Sequence, residues 1–357
     1  MTYLRDLFQL DPDVTFLNHG SFGATPRPIF DVYQEWQRRL ERQPVQFLGT
    51  DIYHHLAEAR RRLGAFLNCD RDDVAFVTNA TTGVNIVAQS LPLQAGDEIL
   101  TTDHEYGACD NAWQVVCQRT GARLIRQPIP LPVTSSDAIV EQFWAGVTPR
   151  TKVIFVSHIT SNTALTLPVA QICARARTAG ILTLIDGAHA PGQIALDVTQ
   201  IDADFYTGNL HKWVCAPKGA AFLYVRRAQQ QLIEPLVVSW GWGSNPQNPS
   251  GSTFLDVLQW QGTMDPAAYL SVPAALDFLE QYDWSAVREQ CHILAQDWLH
   301  RVCELTGLEA PYPDGQGFYR QMALAPLPPL DDAKTFKRRF YERHRVEIPV
   351  TEWRGRA

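Results

Sequence analysis

No Cys-x-x-Cys pair occurs among the seven cysteines, Cys69, Cys109, Cys117, Cys173, Cys215, Cys291 and Cys303. An odd number without that spacing argues against a closed disulfide framework and against a zinc site, and predicts reduced thiols in a cytoplasmic protein with no metal. No apolar run is long enough to cross a bilayer. The opening Met1 to Asp13 is mixed polar and acidic, without the basic-then-apolar order of a signal peptide. Positive charge is not in excess: 31 Lys and Arg face 38 Asp and Glu, a net charge of -7. A polyanion such as nucleic acid is therefore not an expected partner, and neither is a membrane. The densest basic run, Lys337-Arg338-Arg339, falls on an expected helix as a solvated face. Neither G-x-G-x-x-G nor G-x-x-x-x-G-K-[ST] is present, which disfavours a nicotinamide oxidoreductase and a nucleotide triphosphate site. There is no internal repeat and no low-complexity segment.

What is present is an alternation of short apolar runs with helix-like segments. The runs are Val74 to Thr78, Glu98 to Thr102, Arg123 to Ile129, Lys152 to His158, Leu182 to Ile185, Asp204 to Thr207 and Ala220 to Val225. Runs this apolar, without clean alternation, predict strands buried on both faces, as in mostly parallel sheets. Between them, Ile52 to Leu67 carries its apolar residues on one face, and Pro168 to Ala179 opens on proline and stops at Gly180. The order is that of an α/β fold. Ser239 to Thr253 is rich in Gly, Asn, Pro and Ser and reads as a long loop. Beyond it Pro273 to Gln281, Ser285 to Leu305 and Asp332 to His344 read as helices. The expected division is an N-terminal segment (1–20) packing near the active site, a large domain (21–254) and a smaller C-terminal domain (255–357).

Three features carry chemistry. In Leu182-Thr-Leu-Ile-Asp186 an aspartate ends a buried strand, which is costly unless a cation meets it; the edge it occupies is where ligands bind in open α/β sheets. Alone, it reads equally well as a helix cap. In Thr207-Gly-Asn-Leu-His211-Lys212-Trp213 a lysine follows another buried strand. A lone lysine is usually solvated, but a desolvated one has a lowered pKa and can form an imine with an aldehyde. An aspartate against a pyridine nitrogen keeps that ring protonated and makes it an electron sink. In Asn79-Ala-Thr81-Thr82-Gly83-Val-Asn85 free amides and two hydroxyls head a helix, a place for phosphate or simply for a threonine cap.

With these and Phe16-Leu-Asn-His-Gly-Ser-Phe-Gly, Asp103-His-Glu-Tyr-Gly-Ala, Ser157-His-Ile-Thr-Ser, Asp186-Gly-Ala-His-Ala-Pro-Gly and Gly262-Thr-Met-Asp-Pro, the chain resembles the class V aminotransferase family of fold-type I enzymes that use pyridoxal 5'-phosphate. Within it, the chain is most similar to the isopenicillin N epimerase-like branch, over nearly its whole length. The resemblance implies a mostly parallel seven-stranded sheet in the large domain and a smaller C-terminal α/β domain. It implies that Lys212 forms the Schiff base and shuttles the α-proton, that Asp186 pairs with the pyridinium nitrogen and that His189 contacts the ring 3-oxygen. Thr81, Thr82, Gly83, Asn209 and His211 would bind phosphate, and Ser161 would join the cofactor site. Tyr106 would stack on the ring, with His104 a weaker candidate. Thr263 would reach the phosphate of a neighbouring subunit, which implies a homodimer. Asn18, His19 and Ser21 would line the substrate pocket, although His19 and Ser21 read as well as a structural turn.

The departures narrow the reaction. The last cysteine, Cys303, falls in an expected helix, which argues against the mobile nucleophilic cysteine of cysteine desulfurases. Gln46 and Met264 stand where many relatives carry arginine. Relatives continue past the Trp353-Arg-Gly-Arg region into a segment with an Arg-Val-Ser-like motif whose arginine grips the substrate carboxylate. Arg354 and Arg356 do not match that motif, so the expectation is a small domain short of a strand and a helix. The leading expectation is an enzyme acting at Cα or Cβ of an amino acid, by epimerisation. C–S lysis and transamination are its alternatives within the family, and a truncated, non-catalytic binding homologue is the alternative outside it.

Overall fold

The computed structural model describes residues 4–243, 249–315 and 317–353. Seven strands form one sheet: β1 (Val74–Val77), β2 (Glu98–Thr102), β3 (Arg123–Gln127), β4 (Thr151–Ser157), β5 (Leu182–Asp186), β6 (Phe205–Asn209) and β7 (Ala221–Val225). Their order is β1-β7-β6-β5-β4-β2-β3, with β7 antiparallel to both neighbours and every other pairing parallel. All seven expected strands are present. β3 ends at Gln127 rather than Ile129, because Pro128 has no amide to continue a ladder and the Ile129 amide bonds Asp103 Oδ1 at 2.9 Å.

The apolar runs lack alternation because both faces of the sheet are covered. One face presents Ile154, Val156, Ile185, Tyr206 and Phe222 to helices α1 (Ile52–Leu67), α4 (Val169–Thr178) and α5 (Val272–Gln281). The other presents Val153, Phe155, Leu184, Phe205 and Leu223 to α2 (Ala80–Ser90) and α3 (Gly107–Thr120). Helix α1 buries Ile52, Leu56, Leu63 and Leu67, and each such side chain contributes about 2 kcal/mol by leaving water. It ends at Asn68, whose left-handed backbone (φ 56) returns its amide to Ala65.

The C-terminal part is mainly helical, with α6 (Trp284–Thr306) and α7 (Ala333–His344). The expected loop from Ser239 ends one residue early, at Ser252, which caps a helix over Thr253–Gln259 by accepting the Leu255 amide. A two-residue strand, Val346–Glu347, pairs in parallel with Thr15–Phe16 and ties the beginning of the chain to its end. Among the described residues no helix is long and apolar enough to cross a membrane, and no group of His, Cys, Asp and Glu is arranged to hold a metal ion. Arg354 and Arg356 lie outside the described residues.

Candidate functional site

Six strands run in one direction, so their carboxyl ends share an edge of the sheet. Asp186 closes β5 there and is only 3% exposed. Its Oδ1 accepts the Ala188 amide at 2.9 Å, and among the described residues its Oδ2 receives only the Cys109 thiol, at 3.5 Å. Burial raises its pKa; the Ala188 amide and then the charge of Lys212 pull the other way. Gly187 follows because the turn presses on Tyr206: a Cβ at Gly187 would lie 2.3 Å from that ring.

Lys212 arrives from the turn after β6. Its Nζ sits 3.0 Å from His189 Nε2, and Trp213 Nε1 lies 3.5 Å from the other ring nitrogen. Burial pushes the Lys212 amine down to about 8, against the pull of Asp186. Burial, and after it Lys212, holds the His189 imidazole far below its ordinary range, so it stays neutral. The result is a largely dehydrated amine, a neutral imidazole and a buried carboxylate gathered at one sheet edge. Both the amide and Nδ1 of His211 contact the Ala220 carbonyl, at 3.2 Å each, and burial lowers its imidazole to about 4.

The third feature assembles beside them. Asn79 caps α2, its Oδ1 accepting the Thr82 amide at 2.8 Å. Asn209, at the end of β6, accepts the Ala80 amide at 2.8 Å. The Gly83 amide bonds the Asn79 carbonyl at 3.2 Å, while Thr82 Oγ1 lies 2.9 Å from Thr78 Oγ1. A Cβ at Gly83 would meet Thr207 Oγ1 at 2.2 Å, so this glycine is what lets the helix start close against β6. Thr81 and Thr82 stay half-buried at the positive end of the helix, available to an anion. Tyr106 is the N-cap of α3, the helix whose Cys109 touches Asp186, and the residue is 47% exposed. His104 is wholly buried instead: its nitrogens contact Thr163 Oγ1 and the Ile129 carbonyl, both at 2.7 Å, and its ring lies 4.4 Å from that of Trp353. Ser161 is half-buried in the loop after β4.

The donor set fits pyridoxal 5'-phosphate. A carboxylate with one weakly partnered oxygen suits a pyridinium N–H, a dehydrated amine suits an aldehyde, a helix N-terminus suits a phosphate, and an open phenol ring suits stacking.

Around this core, His19 Nε2 lies 2.9 Å from the Lys212 carbonyl, and the His19 ring sits 5.4 Å from that of Trp213. Asn18 donates to Glu347 at 2.8 Å and accepts from Ser21. His19–Phe22 is a single helical turn ending at Gly23, where φ is 71 and a Cβ would lie 1.8 Å from the His211 carbonyl oxygen. Gly23→Ala is expected to cost about 3 kcal/mol, because a disfavoured backbone and a backbone collision act together. Urea denaturation of the two proteins measures it. Thr263 is exposed and, among the described residues, joins none of these contacts.

Two groups at the site were not singled out from the sequence. Glu105 is buried, with Oε1 accepting from Thr102 Oγ1 at 2.6 Å and Oε2 from the Ser157 amide and hydroxyl at 2.9 and 2.6 Å. Burial raises it to about 8, against the bonds from Ser157 and Thr102. His158 donates its amide to the Asp186 carbonyl at 2.8 Å and sets Nδ1 2.9 Å from Tyr206 Oη; burial lowers it to about 4. The one signal for Glu105 was an acid placed, like Asp186, just after an apolar strand.

The sequence model of the family "Aminotransferase class-V" matches residues 24–320. An isopenicillin N epimerase of Amycolatopsis lactamdurans is 38% identical, covering 98% of this chain and 90% of its own. A probable chloroplastic L-cysteine desulfhydrase of Arabidopsis thaliana is 31% identical over 76% of this chain and 60% of its own. A solved structure of the cystine C-S lyase C-DES with its product cysteine persulfide superposes with a TM-score of 0.81 at 23% identity, covering 95% of this chain and 91% of that one, which establishes the fold as type I. The chain therefore belongs to the class V aminotransferase family of pyridoxal 5'-phosphate-dependent enzymes.

Proposed function

We propose that the protein removes and returns the α-proton of an amino acid, inverting that centre, with Lys212 as the group that moves the proton. The observation that carries this reading is the Lys212 amine itself, buried, pushed down to about 8 and seated 3.0 Å from a neutral His189. An amine that is partly unprotonated at neutral pH can take the α-proton from its own face, and inversion requires that a proton return on the opposite face. The cofactor, when bound, supplies the aldehyde for the substrate amine and the ring that accepts the electrons left at the α-carbon. Asp186 would hold a proton on the ring nitrogen, His189 would orient the amine and the ring oxygen, and Tyr106 would cover the ring. Thr81, Thr82, Gly83, Ser161, Asn209 and His211 anchor the cofactor, and Asn18, His19 and Ser21 form a wall of the substrate pocket. Inversion is favoured over the alternatives by the epimerase relatives, which match nearly the whole chain at 38% and 36% identity.

The same reading includes a cytoplasmic homodimer, with Thr263 delivered into the partner's site. In support, Leu236, Val237, Val238, Trp240 and Trp242 are 38% to 66% exposed on one segment, an apolar surface that a second copy would cover. The thiols are all free.

The test is incubation of the loaded enzyme with single enantiomers of amino acids in heavy water. Inversion with α-deuterium and no release of pyruvate or ammonia is expected. C–S lysis is the second reading, motivated by the desulfhydrase relatives; pyruvate and ammonia from a cysteine derivative, without its enantiomer, would replace the first reading with it.

A further inference from the structure

Most arginines of this net-acidic chain sit against carboxylates: Arg123 and Arg150 on Glu98, Arg226 on Asp202 and Asp204, Arg177 on Asp202. Arg288 and Arg320 differ. Among the described residues neither forms an ion pair, and no carboxylate is among the causes that move the pKa of Arg288. Arg288 is lowered by burial and then by Arg320, and Arg320 also repels a proton from buried His158. Two cations therefore act on each other and on neutral His158, and among the described residues neither is paired with a carboxylate.

The place is built rather than accidental. Arg320 Nε is shut off from solvent and, among the described residues, has no hydrogen-bond partner, and the same holds for Gln321 Oε1. A buried guanidinium N–H without a protein acceptor is costly unless a ligand meets it. The guanidinium folds over Gly317, at φ 73, where a Cβ would lie 2.7 Å from Arg320 Nη2. The backbone at Arg320 is held from two sides. His292 Nδ1, one turn beyond Arg288 on α6, lies 3.2 Å from its carbonyl. The next amide, that of Gln321, donates to Gln193 Oε1 at 3.0 Å. Gln193 is buried and donates in turn to the His189 carbonyl at 2.9 Å. One glutamine side chain thus separates the Arg320 loop from the residue that touches Lys212.

We propose that Arg288 and Arg320 form a binding site for a carboxylate beside the Lys212 pocket. Arg320 presents a planar fork that matches a carboxylate in two parallel bonds, and Arg288 adds a second charge from α6. Resting on the amino-acid reading above, the inference narrows the substrate to one whose own carboxylate reaches this pair, and a free dicarboxylate effector shares the same chemistry.

The test uses the cofactor-loaded enzyme and glutarate as the probe, followed by titration calorimetry at low ionic strength. Saturable binding of glutarate is expected, and none of glutaramide, which keeps the shape without the charge. Arg320→Gln is expected to weaken glutarate by about tenfold or more, Arg288→Gln by less, and Arg320→Lys to fall between, with melting temperatures near the parent. Absence of saturable binding, or unchanged affinity in Arg320→Gln, overturns the site. If glutarate competes with the amino acid and shifts the visible absorption of the cofactor, the carboxylate is the substrate's. If turnover continues with glutarate bound, it belongs to an effector. The titration repeated on Lys212→Ala separates this site from the reaction, since glutarate binding there does not depend on what Lys212 does.

Discussion

Lys212→Ala is expected to lower turnover by about 10^4-fold and to leave the protein without covalently held cofactor after borohydride treatment. In the parent, reduction should fix pyridoxal phosphate to the peptide carrying Lys212, read by mass spectrometry. The argument is one of position. Lys218 is close in sequence and also lowered by burial, but it has the Cys215 thiol for a neighbour, whereas Lys212 meets both Asp186 and His189. The free amine is the nucleophile, so covalent capture by cofactor-free protein should speed up as pH rises and level off above about 8. An ordinary lysine would keep accelerating toward about 10.4. If Lys212→Ala is still labelled at this site, the assignment fails.

Asp186→Asn is expected to cost about 10^3-fold in turnover while leaving the fold intact and covalent capture at Lys212 possible. In the proposed mechanism the buried carboxylate is the negative charge that would keep a ring nitrogen protonated; a neutral amide of the same shape fills the space without that charge. The stability of the cofactor-free protein supplies an independent check. A raised carboxyl pKa means that the folded state holds its proton more tightly than the unfolded chain. That contribution is complete below the ordinary carboxylate range and is lost as pH rises through the raised value. Asp186→Asn should lack this slope and match or exceed the parent at neutral pH. Turnover within tenfold of the parent would remove Asp186 from the mechanism.

The strands were legible because burial on both faces writes itself into sequence as unbroken apolar runs, and the helix over Val169–Thr178 because Pro168 and Gly180 bracket it. The antiparallel entry of β7 was not legible, since Ala221 to Val225 is as apolar as its parallel neighbours and carries no sign of direction. At the site, Asp186 and Lys212 were legible as charges at the ends of buried strands. The network behind them was not: Glu105 meets Ser157, and Gln193 meets Gln321, across large sequence distances. The His19 turn and Gly23 likewise owe their conformation to the Lys212 segment, which local sequence does not reveal.

The parallel pair of Thr15–Phe16 with Val346–Glu347 has a kinetic meaning. Its side-chain clasp, Asn18 to Glu347, joins residues 329 apart, and closing so long a loop for two short strands brings little enthalpy against the entropy lost. Such a contact forms after the sheet has condensed and opens before the sheet does. The turn that carries Asn18, His19 and Ser21, the proposed wall of the substrate pocket, is therefore the last piece to assemble, and hydrogen exchange should find its amides among the first to open.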